Sequence, residues 1–441
     1  MLMNRTLTSL VAAVSLAAVA PAAADARPHM RSVFQDDCLL VQINGDPHCN
    51  HPAARDQALT TMKGLGADTI RITVIRDKVK HFGFGNYDAA VQGTLNRGMQ
   101  PFLSLTDRQR IPTTKDFGKF VRSTVGHFPQ VHLWSLLNEP NLRYFLGIAS
   151  RHNATARNWR ELFVAGQKAL RAVSGHRHDT VLLGELAPRA TANHGTAQGP
   201  LFFLREFFCL DRRLRPYTGA AARRRGCRNF KRVTADGFAM HPYTNAALAP
   251  PTFTDPGDGV SVITLRRLTR IIDAAARRGR TKRMNLWDTE MGFQSNPPDR
   301  RAPSPARQAE YINWSDWIQY HTPRLVAVSQ YELDDVRSRA EYNTGLRYYS
   351  GRRKPAFDAY RLGIFPTNAG GGFVRVWAQA RPGRVQTVTF LRQTRGKGRF
   401  RKVAAKRTDS SGYVEPRFRG GPRDRWRVTW HGFTSRTAGV R

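Results

Sequence analysis

The stretch Leu133-Trp134-Ser135-Leu136-Leu137-Asn138-Glu139-Pro140-Asn141 decides how this chain folds. It begins as an apolar run of strand length and ends abruptly in Asn138-Glu139-Pro140. A buried parallel strand carries its last side chains to the carboxyl end of a barrel, where functional sites lie. The pattern therefore predicts a buried strand with Glu139 at its exposed end. A capped turn with an incidental glutamate is the alternative.

A second stretch repeats this pattern later in the chain. Met284-Asn285-Leu286-Trp287-Asp288-Thr289-Glu290-Met291-Gly292-Phe293 again takes an apolar run into a glutamate. Cleavage of a glycosidic bond needs two carboxyl groups, of which one donates a proton to the leaving oxygen and the other attacks or stabilises the anomeric carbon. One such glutamate could be structural, whereas two at strand ends favour this chemistry. The chemistry itself requires no metal and no organic cofactor.

Short apolar runs alternate with helical patterns on both sides of these stretches, over residues 27–365. This alternation predicts an α/β fold with a parallel sheet, and eight repeats are enough to close a (β/α)8 TIM barrel. The predicted strands are 32–35, 69–75, 101–105, 131–137, 180–184, 237–240, 284–287 and 325–331. Helical spacing is clearest at 53–65, 159–173, 263–278 and 305–321.

The pattern changes after residue 365. The run Asn368-Ala369-Gly370-Gly371-Gly372 indicates a linker, and short alternating segments follow at 374–377, 385–391, 400–404 and 426–430. Residues 371–441 are therefore predicted to form a small antiparallel β-sandwich. This accessory domain is strongly basic. We expect it to support the barrel or to bind a polymer weakly, and to take no part in catalysis.

Together, Asn138-Glu139-Pro140 and Thr289-Glu290-Met291-Gly292 resemble the superfamily of retaining (β/α)8 glycoside hydrolases that includes cellulases, β-xylosidases and α-L-iduronidases. That superfamily carries its catalytic glutamates on strands four and seven. The resemblance implies that Glu139 is the acid/base and Glu290 the nucleophile. It also implies that Arg71 packs beneath the nucleophile and holds it ionised, and that Asn138 binds the 2-hydroxyl of the sugar.

The resemblance extends to the later strands. His241 and Tyr243 match a pair at the rim of the barrel whose tyrosine steadies the nucleophile. Tyr331 stands where many relatives place a tryptophan under the sugar ring, so either Tyr331 is that platform or the platform is absent. Arg76 stands where an aromatic residue is common. These two departures leave the sugar undetermined.

The amino terminus has the three parts of a secretory signal peptide. Arg5 precedes an apolar run over 7–20, and small residues follow Pro21, so cleavage is expected near Ala26. The run falls short of the roughly 20 residues that a membrane span needs. Residues 1–26 are therefore predicted to direct export, and the remaining chain is predicted to be secreted without an integral membrane segment.

Export makes disulfides the first interpretation of the four cysteines. Cys38 with Cys49, and Cys209 with Cys227, are neighbours in sequence, and each pair encloses a loop-like stretch. Free buried thiols remain the alternative. The spacings do not indicate a metal site. If the pairs form, the Arg-rich segment between Cys209 and Cys227 is expected to shape the cleft.

The net charge of +37 suits an anionic partner. An acidic polysaccharide would fit the charge, and so would a compositional bias toward arginine. No recognisable nucleic-acid-binding motif accompanies the charge, so no nucleic-acid partner is expected. Two other functional classes stay open: a catalytically idle barrel that binds extracellular polysaccharide, and a basic protein that binds nucleic acid or cell wall.

Overall fold

The computed structural model describes residues 30–441 except 43–45, 47, 109–110, 148–151, 190–195, 245–247 and 339–341. The predicted signal peptide lies outside the described residues. Within them, eight parallel strands form a closed barrel, in which β1 pairs with both β2 and β8. The strands are β1 (Arg31–Gln35), β2 (Thr69–Ile75), β3 (Gln100–Thr106), β4 (Leu133–Leu136), β5 (Thr180–Leu186), β6 (Gly237–Met240), β7 (Leu286–Asp288) and β8 (Leu325–Tyr331). The predicted TIM barrel is confirmed.

Helices surround the barrel and bury their apolar faces against the outside of the sheet. Several begin with a side-chain cap; Ser304, for example, accepts a hydrogen bond from the backbone N–H of Arg307. The helices are α1 (Asp37–Leu40), α2 (Pro52–Gly64), α3 (Arg76–Phe82), α4 (Gly85–Leu95), α5 (Thr114–His127), α6 (Arg143–Leu146), α7 (His152–Arg171), α8 (Pro200–Phe207), α9 (Gly219–Arg224), α10 (Arg266–Arg277), α11 (Pro305–Tyr320) and α12 (Pro355–Arg361).

The inside of the barrel is divided into an apolar and a polar layer. The apolar layer consists of Val33, Phe102, Leu133, Leu182, Ala239, Trp287 and Ala327. Toward the carboxyl ends of the strands, buried polar side chains replace them, including Arg71, Ser104, Ser135 and Glu185. A charged group inside a protein needs a charged or hydrogen-bonding partner. The polar layer therefore fixes the position of the site.

The C-terminal part folds as two antiparallel sheets around a shared apolar core. The strands are β9 (Leu362–Asn368), β10 (Phe373–Ala380), β11 (Thr387–Gln393), β12 (Arg401–Arg407), β13 (Tyr413–Val414), β14 (Arg417–Arg419), β15 (Arg425–Trp430), β16 (Phe433–Thr434) and β17 (Ala438–Gly439). The predicted sandwich is present. The predicted linker is not, because β9 pairs with β10 along its whole length and the glycines after Asn368 form the turn of this hairpin.

The sandwich packs on helix α11 through aromatic side chains. Trp377 and Phe365 are buried against Trp314 and Trp317 of this helix. Nearby, the buried guanidinium of Arg381 donates to the Tyr360 carbonyl at 2.7 Å and to Asp316 Oδ2 at 3.2 Å. The two parts therefore share one buried interface.

Strand β12 lies at the edge of its sheet and pairs with β11. Residues 395–407, which include this strand, contain seven Arg and Lys residues and no Asp or Glu. Most residues of β12 are exposed.

Both predicted disulfides are present. Cys38 and Cys49 have Cα atoms 4.5 Å apart, and those of Cys209 and Cys227 are 5.7 Å apart. The first bond joins α1 to the loop after it, close to the mouth of the barrel. The second follows α8. The described residues that line the cavity at the barrel mouth include none between Cys209 and Cys227, so the expectation that this loop shapes the cleft is wrong. None of the described helices is both long and apolar enough to span a bilayer.

Candidate active site

Strands β4 and β7 bring Glu139 and Glu290 to opposite sides of the barrel mouth. Beyond β4 the chain turns through left-handed backbone at Leu137 and Glu139 (φ 76° and 40°), and the Glu139 N–H donates to the Glu185 carbonyl at 2.9 Å. Glu290 follows β7, with its N–H held by Asp288 Oδ1 at 3.2 Å. One carboxylate oxygen of Glu139 lies within 4.8 Å of one of Glu290. The two carboxyl groups thus face each other across the mouth.

Arg71, from β2, lies beneath the two glutamates and contacts Glu290, but it binds a third carboxylate more closely. Its Nε and Nη2 donate to the two oxygens of Glu185, each at 2.7 Å. Its Nη1 reaches Glu290 Oε2 only at 3.4 Å. A two-point arginine–carboxylate contact is stronger and more directional than one long contact. Arg71 thus contacts Glu290 and lowers its pKa, but its stronger partner is Glu185.

Glu185 is the residue of this site that the sequence did not indicate. It is fully buried and also accepts hydrogen bonds from Ser104 Oγ at 2.5 Å and Ser135 Oγ at 2.9 Å. Burial alone would raise the pKa of Glu185, but Arg71 and His241 hold it well below its ordinary value. The preceding residue must be glycine, because a Cβ at Gly184 would collide with the Ala239 carbonyl oxygen. The one available signal was an acidic residue inside an apolar run.

His241, after β6, is fully buried among three carboxylates. Its Nδ1 lies 2.9 Å from Glu139 Oε1 and 3.8 Å from Glu290 Oε2, and its Nε2 lies 3.8 Å from Glu185 Oε1. Burial opposes charging of the ring, but the carboxylates outweigh it and raise the pKa of His241 to about 10. The imidazole is therefore a cation at neutral pH.

Tyr243 contacts the predicted nucleophile directly. Its hydroxyl donates to Glu290 Oε1 at 2.9 Å, as the resemblance implies. Burial nonetheless raises the pKa of Glu290, because it outweighs the lowering by His241 and Arg71, and Glu139 raises the pKa further. Glu290 therefore depends on its cationic neighbours to ionise.

A cavity of about 460 Å³ opens above the two glutamates. Asn138 lines this cavity, and its Oδ1 accepts from Arg71 Nη2 at 2.7 Å. Tyr331 also lines it, with its ring edge-on to Tyr243. Other residues of the wall are Gln35, Asp37, Thr73, Lys78, Tyr87, Arg108, Tyr144 and Phe145. Arg76, which replaces an expected aromatic residue, forms an ion pair with Asp107 at 2.6 Å.

Among the residues that the structure describes, two groups combine residue types that can bind metal ions. Glu139, His241 and Glu290 form one, but a protonated His241 has no lone pair to offer a metal. His132, His176 and Asp179 form the other, near the start of β4 and β5. There both histidine Nδ1 atoms are hydrogen-bonded to Asp179, at 2.7 and 2.6 Å.

Comparison with protein-family profiles finds no match, and no curated protein matches the chain. Among solved structures, it is similar to a calcium-binding mutant of Bacteroides uniformis beta-glucuronidase 2, with 13% identity, 94% of this chain and 45% of that chain covered, and a TM-score of 0.46. It is also similar to the exo-beta-1,4-mannosidase Op5Man5 from an Opitutaceae bacterium (13% identity, 75% and 58% covered, TM-score 0.44). A GH5_18 protein from Bifidobacterium longum gives 14% identity, 75% and 78% covered, and a TM-score of 0.46.

The chain spans less than half of the beta-glucuronidase chain and 50% of a GH2 beta-galacturonidase chain from Eisenbergiella tayi. At these identities the similarity concerns the fold. What the chain's own strands and side chains define is a (β/α)8 barrel with two facing glutamates at its carboxyl end.

Proposed function

We propose that this protein hydrolyses O-glycosidic bonds of an oligo- or polysaccharide with net retention of configuration. The observation that carries the proposal is the separation of Glu139 and Glu290, since one carboxylate oxygen of Glu139 lies within 4.8 Å of one of Glu290. Retaining enzymes hold their carboxyl groups about 5–5.5 Å apart, whereas inverting enzymes leave about 6.5–9.5 Å for a water molecule. The short separation favours direct attack on the sugar.

In this mechanism Glu290 attacks the anomeric carbon and forms a glycosyl-enzyme, while Glu139 gives its proton to the departing oxygen. Glu139 then removes a proton from water, which releases the sugar. The hydrogen bond from Tyr243 and the charges of His241 and Arg71 support Glu290 as an anion. Asn138 lines the cavity where it can contact the sugar, and Tyr331 offers a ring beside it.

The protein is further proposed to act outside the cell, directed there by residues 1–26. Its two disulfides are compatible with an oxidising compartment. The net charge of +37 favours an acidic polysaccharide as substrate.

Removal of each glutamate separately tests the two roles. Glu290→Ala cannot form the covalent intermediate and should lose activity on all substrates. Glu139→Ala should still react with an activated aryl glycoside, because such a leaving group needs no proton. Azide should then restore turnover and give a glycosyl azide of retained configuration, identified by NMR.

Azide rescue of Glu290→Ala with an inverted product would agree with its role as nucleophile, because azide then attacks the substrate directly. If azide instead gave a retained product with Glu290→Ala and an inverted one with Glu139→Ala, the two roles would have to be exchanged. Full activity of both variants would overturn the hydrolytic function. If the wild-type chain binds carbohydrates of a panel of aryl glycosides and polysaccharides but hydrolyses none, it is an idle barrel that only binds carbohydrate.

A further inference from the structure

A second cavity adjoins the catalytic cleft and shares Tyr144 with it. Its volume is about 440 Å³, and its described wall consists of Leu142, Arg143, Tyr144, Arg189 and Thr196. Two of these side chains are cationic, and none of these five is acidic. The cavity therefore has a strongly positive wall close to Glu139.

The backbone around this cavity is fixed. The Arg143 N–H donates to the Thr196 carbonyl at 2.9 Å, and Leu142 forms a β-bridge with Ala197. Asn141 secures the same junction, since its Nδ2 donates to the Ala187 and Gln198 carbonyls at 3.0 and 2.9 Å. The loops after β4 and β5 are thus joined, and the two arginines project from a defined wall.

Arg108 lies at the boundary between the two cavities. Its guanidinium lies 5.3 Å from the centre of the Tyr144 ring, and it lines the catalytic cleft. Its Nε is buried without a hydrogen-bond partner among the described residues. The adjacent carboxylate, Asp107, is already bound to Arg76 at 2.6 Å. A buried donor without a partner is costly, and an anionic oxygen from a ligand would satisfy it.

The position of this wall relative to the scissile bond follows from the strand order. Its residues come from the loops after β4 and β5, which are neighbours in the barrel, whereas Glu290 follows β7. The wall therefore lies on the side of Glu139. Because the acid/base protonates the leaving oxygen, the leaving-group portion of the substrate extends in this direction.

We infer that Arg108, Arg143 and Arg189 form a subsite that binds an anionic group, a carboxylate or a sulfate ester, on the leaving-group side of the cleaved bond. This inference rests on the proposed hydrolytic function for its direction. The planar guanidinium matches the oxygens of either anion, and cations without acidic neighbours in the wall keep their charge available to a ligand. Tyr144, 48% exposed, holds Arg108 in place and offers its ring to the adjoining sugar.

Binding measurements test the subsite independently of turnover. The probes are uronic-acid oligosaccharides and sulfated oligosaccharides, each with its carboxyl-reduced or desulfated counterpart, titrated by calorimetry into Glu290→Gln protein. Arg143→Gln/Arg189→Gln in that background removes two charges from the wall. Arg122→Gln/Arg277→Gln removes two exposed charges from α5 and α10 and serves as the matched control.

We expect the wall variant to bind an acidic oligosaccharide about tenfold or more weakly than the control, since it lacks two guanidinium groups that can form charge-assisted hydrogen bonds with the anion. The neutral counterparts should bind weakly and equally to both proteins. Arg108→Gln should act in the same direction, and added salt should weaken acidic binding alone. Whether the uronate or the sulfated series responds identifies the anion.

Equal binding of acidic oligosaccharides by the wall variant and the control, or equal binding of acidic and neutral forms by the parent, would overturn the subsite. Hydrolysis of the panel of neutral and acidic aryl glycosides and polysaccharides by protein with Glu290 intact is scored separately. If that hydrolysis fails while acidic binding depends on these arginines, the subsite stands and the hydrolytic function falls.

Discussion

The guanidinium of Arg71 is bound at two points by Glu185, and both contacts are 2.7 Å long inside the barrel. Two oppositely charged side chains from β2 and β5 thereby form an ion pair that lies beneath the two facing glutamates. Glu290 receives only one longer contact from the same cation. The charge of Arg71 is therefore shared unequally between Glu185 and the proposed nucleophile.

Glu185→Gln should destabilise the protein by about 3–5 kcal/mol, because it leaves a buried guanidinium without its main counter-charge. Urea unfolding followed by fluorescence measures this. Ser104→Ala removes only one hydroxyl donor to Glu185 and should cost about 1 kcal/mol. Glu185→Gln also removes the carboxylate that competes with Glu290 for the charge of Arg71. The pKa of Glu290 should therefore fall, and the acidic limb of kcat/KM should move to lower pH. An unchanged unfolding free energy would contradict the assigned pairing.

His241→Gln should move the acidic limb of kcat/KM to higher pH. The imidazolium lowers the pKa of Glu290, so its loss leaves more of the nucleophile protonated at any given pH. A charge at this distance changes a pKa by about one to three pH units. Tyr243→Phe removes a hydrogen bond but no charge, and should give a smaller shift in the same direction. A shift to lower pH in His241→Gln would refute this electrostatic role.

Asp288→Asn should become more stable relative to wild type as the pH rises. Burial raises the pKa of Asp288 to about 7, although hydrogen bonds from Ser329 oppose it. Between about pH 4 and 7 the folded chain therefore holds a proton that the unfolded chain releases, so wild-type stability from this group is full below that range and falls through it. Unfolding free energies at several pH values measure the difference. Asp358→Asn, at an exposed position, is the matched control.

Arg381→Ala should destabilise the whole chain by about 3–5 kcal/mol, because it leaves Asp316 buried without its charged partner. The exposed Arg384→Ala is the matched control and should change stability little. The double variant Arg381→Met/Asp316→Leu should recover most of the loss, since it removes both charges. If Arg381→Ala lowers the free energy of unfolding no more than Arg384→Ala does, the interface does not depend on this pair.

The sequence predicted the barrel well where local patterns determine structure. Thr69–Ile75, Gly237–Met240 and Leu325–Tyr331 were located to the residue, because each is an apolar run with clear boundaries. Both rim glutamates followed from the same patterns. The hydrogen bond of Tyr243 came from the resemblance alone.

Long-range partners could not be predicted in this way. Glu185 is buried as a charge only because Arg71 lies across the barrel, and nothing near it in sequence reports that. The glycines after Asn368 have the composition of a linker and of a hairpin turn alike. Only the pairing of β9 with β10 decides between the two.

The charged edge strand β12 bears on the behaviour of the protein at high concentration. An unpaired strand edge is a template on which another copy can add a strand, and the two copies can then aggregate. Seven cations and no anions over 395–407 make two such edges repel each other, and lysines pointing from an edge strand discourage its extension. The basic composition of this segment thus opposes the addition of a strand from another copy, and this effect does not depend on what the protein binds.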